Sequence, residues 1–183
     1  MSDVEPWLIV IDAQRIFADP QSDWGSPMWN AAEANIGRLL ERFEGRTILT
    51  RWIPPTADGR AGSWADYMAA WPFADRPQDD PYFELVPALA GVPAPVVDAP
   101  TFGKWDAVRA LVGETPSLVV TGVSTDCCVI STVLPAADAG ARITVATDAC
   151  AGSTQENQAA ALTVMGLYPP QVRLLSTDEV LDS

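Results

Sequence analysis

The sequence predicts an α/β fold: a three-layer α/β/α sandwich around a mostly parallel, doubly wound, six-stranded sheet, in a single domain spanning residues 1–183. Six short, continuous apolar runs bounded by turn residues recur along the chain, as strands buried on both faces do. Helix-length segments with apolar residues spaced three and four apart lie between them, and strand alternating with helix implies a sheet covered on both sides. At 183 residues the chain can bury a sizeable core without a second domain.

The first strand is "WLIVID" (7–12), which closes on an acid, Asp12; a helix over 31–43 follows. "RTILTRW" (46–52) is the second strand. The segment 53–93 breaks the alternation with many prolines, a Gly-Arg-Ala-Gly turn and the aromatics Trp64, Tyr67, Trp71, Phe73, Tyr82 and Phe83. It reads as a long excursion with a short helix near 62–70, capping the sheet edge or contacting a neighbouring subunit. So much apolar surface outside one small sheet predicts a homo-oligomer. "APVVDA" (94–99) and a helix over 104–112 resume the pattern, followed by "SLVVTG" (117–122) and a helix over 127–139. "ARITVAT" (141–147), a helix over 155–166 and "QVRLLS" (171–176) complete it.

Composition narrows the function. No run approaches the roughly 18 apolar residues of a membrane span. "MSDVEPW" offers no basic segment ahead of an apolar one, so no signal peptide and a cytoplasmic location are expected. A net charge of −13 repels phosphate backbones and anionic lipid, which leaves a small-molecule substrate rather than nucleic acid or a membrane as the expected partner. Three cysteines without zinc-ribbon spacing suggest reduced thiols. The chain has no histidine and a single lysine, Lys104. A Ser-His or Cys-His dyad is therefore impossible, and so is any imidazole metal site.

Ligands of open α/β sheets bind beyond the carboxyl ends of the strands. Asp12, Lys104 and the adjacent Cys127 and Cys128 all fall there. In "LVVTGVSTDCCVIST" (118–132) the chain passes from strand to helix, with Ser124, Thr125 or Asp126 available as N-cap. A thiol in that first turn feels the positive helix end, and the same unpaired N–H groups can bind an oxyanion. Both cysteines read equally as small buried hydrophobes. Neighbours at a helix start point in different directions, so at most one should face a pocket; a vicinal disulfide would be strained. Taken singly, Asp12 reads as a cap or a partner of Arg15, and Lys104 as a surface cation, although the aromatics in "TFGKWD" suggest enclosure.

Together these residues resemble the isochorismatase-like cysteine hydrolases, the superfamily that includes nicotinamidases and N-carbamoylsarcosine amidohydrolase. "LIVIDAQRIF" is similar to the family's opening strand and acid, and "GVSTDCCVISTVLPAADAGARITVATDACAG" to its nucleophile segment. The family pattern falls on Gly122, Thr125, Asp126, Cys128 and Val129. The resemblance implies a catalytic triad of Asp12, Lys104 and Cys128, with Cys127 at a position where the family accepts varied residues. It also implies a cis peptide at Val123–Ser124 and an oxyanion hole from the N–H groups of Ser124 and Cys128. Many members carry the lysine directly after the third strand, where this chain has Ala99; its place at 104 implies a changed local path. The metal-binding nicotinamidases use an Asp and two His where this chain reads "TRWIPPTADGRAG", so no metal and no cofactor are expected.

The implied reaction is metal-independent cleavage of a C–N bond in a small amide, ureido or carbamoyl compound through a thioester. Phe17, Trp24, Trp52, Trp64 and Trp105 lie near the expected rim and could enclose the acyl group, while Arg51 or Arg60 could bind a substrate carboxylate. Alternatives are a vinyl-ether hydrolase on the same scaffold, which would leave Cys128 dispensable, and a binding or redox-sensing protein without turnover. A receiver-like domain also pairs Asp with Lys, but "IDAQ" lacks the neighbouring acid of such sites.

Overall fold

A computed structural model describes residues 5–183; the first four residues, part of the segment read as lacking a signal peptide, lie outside it. The strands are β1 (Trp7–Ile11), β2 (Thr47–Trp52), β3 (Val96–Ala99), β4 (Ser117–Val123), β5 (Arg142–Ala151) and β6 (Val172–Leu175). They form one sheet in the order β3-β2-β1-β4-β5-β6, and every pairing is parallel. The order reverses at β1, whose neighbours are β2 and β4, so a crevice opens there between connections that leave on opposite faces.

Period-two alternation assigns each strand's side chains to two cores. Leu8 and Val10 pack on one face with α2 (Trp29–Arg42), through Trp29, Ile36 and Leu39. Ile9 and Ile11 pack on the other face with α4 (Trp105–Val112), α5 (Ile130–Asp138) and α6 (Gln155–Met165). Both faces are dry, which is why these strands read as unbroken apolar runs. Two short helices escaped the sequence reading, α1 (Arg15–Ala18) and α7 (Thr177–Leu181). Neither is long enough to show an apolar period. The second is marked by its capping box, with Ser176 and Glu179 bonding each other's backbone.

The excursion 53–93 carries α3 (Trp64–Ala70) and isolated 3-10 turns. Gln14 fastens it to the sheet: its amide nitrogen donates to Trp52 O at 2.9 Å and Phe83 O at 2.7 Å, and its oxygen accepts from Trp52 N at 2.7 Å. Among the described residues no helix is long and apolar enough to cross a membrane.

Candidate active site

Asp12 leaves β1 with φ of +46°, a left-handed conformation that Asp tolerates better than most residues. Thr50 on β2 holds it from both ends, accepting from Asp12 N at 3.1 Å and donating its hydroxyl to Oδ1 at 2.7 Å. The other oxygen, Oδ2, lies 2.8 Å from Lys104 Nζ, and both side chains are fully buried. Lys104 Nζ also donates to Thr101 O at 2.6 Å and Phe102 O at 2.9 Å, so the ammonium is enclosed by three oxygens. The surface-cation reading of Lys104 therefore fails, and Arg15 pairs with Glu84 instead of Asp12.

The loop after β3 folds back on itself to bring the lysine in. A Cβ on Gly103 would meet Ser131 O at 2.5 Å, so only glycine lets this loop pack against α5. Lys104 N then donates to Thr132 Oγ1, which donates to the Cys128 carbonyl, tying the lysine's backbone to the turn that carries the thiol. β1 and β4 lie side by side with Ile11 opposite Gly122, which delivers Asp12 and that turn to the same rim. Gly122 has φ of +111°, and a Cβ there would sit 2.1 Å from Ile11 O. This close approach requires glycine.

The peptide Val123–Ser124 is cis, and the chain then makes a π-helical turn over Thr125–Val129 before α5. The Ser124 carbonyl accepts the Cys127 amide at 3.0 Å and the Val129 amide at 3.1 Å, skipping the Cys128 amide between them. Both thiols line the same cavity, contrary to the expectation that only one could. A π-turn rotates less per residue than an α-turn, so neighbours fall on one wall.

The sequence profile of the isochorismatase domain matches residues 6–179. The chain belongs to the isochorismatase family. Solved structures agree on the fold. A cysteine hydrolase from Pseudomonas syringae pv. phaseolicola 1448A superposes with a TM-score of 0.80 at 21% identity, covering 97% of this chain and 91% of that one. An isochorismatase-like hydrolase from Alkaliphilus metalliredigens gives 0.78 at 17%, over 98% of each chain. N-carbamoylsarcosine amidase from Thermoplasma acidophilum gives 0.72 at 19%, over 96% and 98%. No curated protein matches the sequence.

In this isochorismatase-family chain the candidate site opens into a cavity of about 300 Å3. Phe17, Trp24, Trp52, Tyr67, Trp71 and Phe102 form its aromatic wall, and Asp23, Ser124, Asp126 and Ser153 its polar part. Phe17, Trp24 and Trp52 are thus where the sequence placed them. Trp64 is not on the wall; it packs against Tyr67 and Phe102 at 5.5 and 5.0 Å between centroids. Trp105 turns into the core under α4. Arg51 does not reach the cavity either: it pairs with Asp98, its register partner on β3, through two hydrogen bonds. Arg60 pairs with Asp75.

Tyr67, Trp71 and Phe102 were missed as wall residues, although Trp64, Tyr67 and Trp71 follow the i, i+3, i+7 spacing of one helical face. Tyr67 and Phe102 are half-buried around the cavity, while Trp71 stays exposed at 36%. Asp23 and Ser153 carried no local signal, and Asp126 appeared only as a cap and family acid. Asp126 in fact accepts from Ser153 N and Oγ, both at 2.7 Å.

The thiols differ in character. Contact with the Cys127 sulfur and complete burial push Cys128 well above its ordinary value, the Asp12 charge adds to this, and Lys104 opposes it. The same contact lowers Cys127, which is partly exposed. Burial raises Cys150 to about 12, and its sulfur sits 3.8 Å from Val120 O in the core. Cys128 therefore rests as a protonated thiol. Iodoacetamide at neutral pH should label Cys127 first, Cys128 slowly and Cys150 not at all, as read by peptide mapping. Cys127→Ser should keep turnover within about tenfold of the parent; a loss as deep as that of a Cys128 variant would make Cys127 the nucleophile.

Proposed function

We propose that this protein is a metal-independent cysteine hydrolase cleaving a C–N bond of a small amide, ureido or carbamoyl substrate through a thioester. The observation that carries the reading is the fully buried Asp12–Lys104 pair at the rim that also holds Cys128. Dry ion pairs contribute little to stability for their desolvation cost, so one placed beside a thiol at a strand end points to chemistry. Asp12 Oδ2 is ion-paired with the ammonium at 2.8 Å and accepts no hydrogen bond from any other donor among the described residues, which leaves it room to accept a proton.

In the proposed reaction Asp12 Oδ2 takes the Cys128 proton as the sulfur attacks the substrate carbonyl. The oxyanion is held by the N–H groups of Ser124 and Cys128. Collapse expels the nitrogen, which takes the proton from Asp12, so ammonia or an amine leaves and an acyl-Cys128 thioester remains. Water then gives a proton to Asp12 and its hydroxide to the thioester carbon; the acid departs and the thiol is restored. Lys104 holds Asp12 Oδ2 in place through the ion pair and offsets the charge that develops.

The test is ammonia release from a panel of primary amides, with an acyl adduct sought by intact mass after rapid acid quench. Release with an adduct on the Cys127–Cys128 peptide supports the reading; failure across the panel overturns it. Exhaustive chelation should leave the rate unchanged, since among the described residues no cluster of three or more His, Cys, Asp or Glu side chains is placed to hold a metal. Loss with EDTA and recovery with zinc would contradict a metal-free mechanism.

A further inference from the structure

The wall of the cavity and the charges around it are mismatched to an acidic substrate. Among the described residues no arginine or lysine lines it, and Lys104 beneath is committed to Asp12 and two carbonyls. The charged residues that do line it are both acids. Asp126 is fixed by its two bonds from Ser153. Asp23 is exposed and has no hydrogen bond or ion pair among the described residues. Its loop is anchored nonetheless: Ser26 Oγ donates to Gly152 O at 2.6 Å, and Ser26 N donates to Phe17 O at 2.9 Å. The next residue, Trp24, meets Trp52 at 72° and Trp71 at 63°, with centroids 5.3 and 5.6 Å apart, so these rings present π-faces in more than one direction.

Crossed indoles next to uncompensated carboxylates form the environment that attracts a weakly hydrated cation, through the ring quadrupole and through direct charge. A carboxylate in the same space would meet two like charges and no donor cation. The net charge of −13 steers in the same direction. Resting on the amidase reading of the site, we infer that the substrate is an amide whose acyl part carries a positive charge, of the quaternary or alkylated ammonium class. The ammonium sits against Trp24, Trp52 and Trp71 near Asp23 and Asp126, while the amide carbonyl reaches Cys128.

Two nearly isosteric probes separate charge from shape: (trimethylammonio)acetamide and 3,3-dimethylbutanamide, which differ by nitrogen for carbon. Malonic acid monoamide supplies the anionic arm. Calorimetric titration of all three into Cys128→Ala protein measures binding without turnover. The cation should bind at least about tenfold more tightly than the neutral isostere, and the anion more weakly than either. Asp23→Asn in the same background, or added salt, should reduce the preference about threefold or more without weakening the neutral probe. Equal affinity of the first two probes, tighter binding of the neutral or anionic one, or no measurable binding of the cation would overturn the inference. Ammonia release by the parent enzyme is scored separately. Cation preference without release from any amide overturns the amidase reading and leaves the site's charge selectivity standing; release with no cation preference does the reverse.

Discussion

Cys128→Ala should reduce turnover of any accepted amide by about 10^4- to 10^6-fold, as removal of a covalent nucleophile does. The acyl adduct should vanish from the mass spectrum while the amide still binds. The reason lies in the balance between burial and pairing. The Cys128 thiol is raised by its contact with Cys127, by burial and by Asp12, so in the proposed reaction it needs Asp12 Oδ2 to take its proton as the carbonyl is attacked. Without the sulfur, water in the cavity would have to attack unaided. The fold should tolerate the change, since one buried sulfur is lost from a wall that already borders a cavity, at about 1 kcal/mol. A Cys128→Ala protein retaining a tenth of the parent rate would remove the covalent step and favour direct hydrolysis on the same scaffold.

Lys104→Ala should slow turnover by about a hundredfold or more and also destabilise the protein. Removing one partner of a buried pair leaves an uncompensated charge, which costs about 3–5 kcal/mol. The loss should appear as a lower denaturation midpoint with an unchanged slope. Catalysis suffers as well, since the charge that develops in the proposed reaction loses its buried counter-ion. Alkylation of Cys128 should shift to higher pH, because Lys104 is what pulls that thiol down. Pairing Lys104→Met with Asp12→Asn separates the two roles: the double variant should recover most of the stability and none of the activity. Lys104→Arg should not restore the rate, since a planar guanidinium cannot replace a compact ammonium enclosed by an oxygen of Asp12, Thr101 O and Phe102 O. A Lys104→Ala enzyme with the parent's rate, midpoint and alkylation profile would assign the lysine no part in the reaction.

The sheet was legible in the sequence because parallel strands buried on both faces leave an unbroken apolar signature, and all six runs became strands. Asp12, Lys104 and the cysteines were legible as candidates because the carboxyl end of such a sheet is where loops converge. What remained hidden was tertiary. Lys104 reaches Asp12 only because Gly103 lets residues 100–104 fold back against α5, and nothing local to "TFGKWD" reveals that contact. The placement of Cys127 and Cys128 on one cavity depends on a π-turn that has no periodic signal over five residues. Arg51 misled because an arginine at a strand end looks available; its partner, Asp98, is adjacent only through the β2–β3 register. That Tyr67 and Trp71 of the excursion border the cavity was hidden because the Gln14 brace that folds this segment over the sheet is a single side chain far away in sequence.

The enclosure of the Lys104 ammonium by three oxygens has a consequence in solution spectroscopy. Ammonium protons on exposed lysines exchange with water too quickly to give a sharp proton signal at neutral pH. Here exchange requires the loop at 101–104 to open, so its rate measures that opening. Because the chain has a single lysine, a nitrogen-correlated NH3+ resonance would need no assignment. It should be sharp in the resting protein and broaden when Asp12 is replaced by asparagine, which removes the ionic contact and leaves the two carbonyls. A ligand that seals the cavity should slow the exchange further, so the buried charge would report occupancy of the site even with a compound that is never turned over.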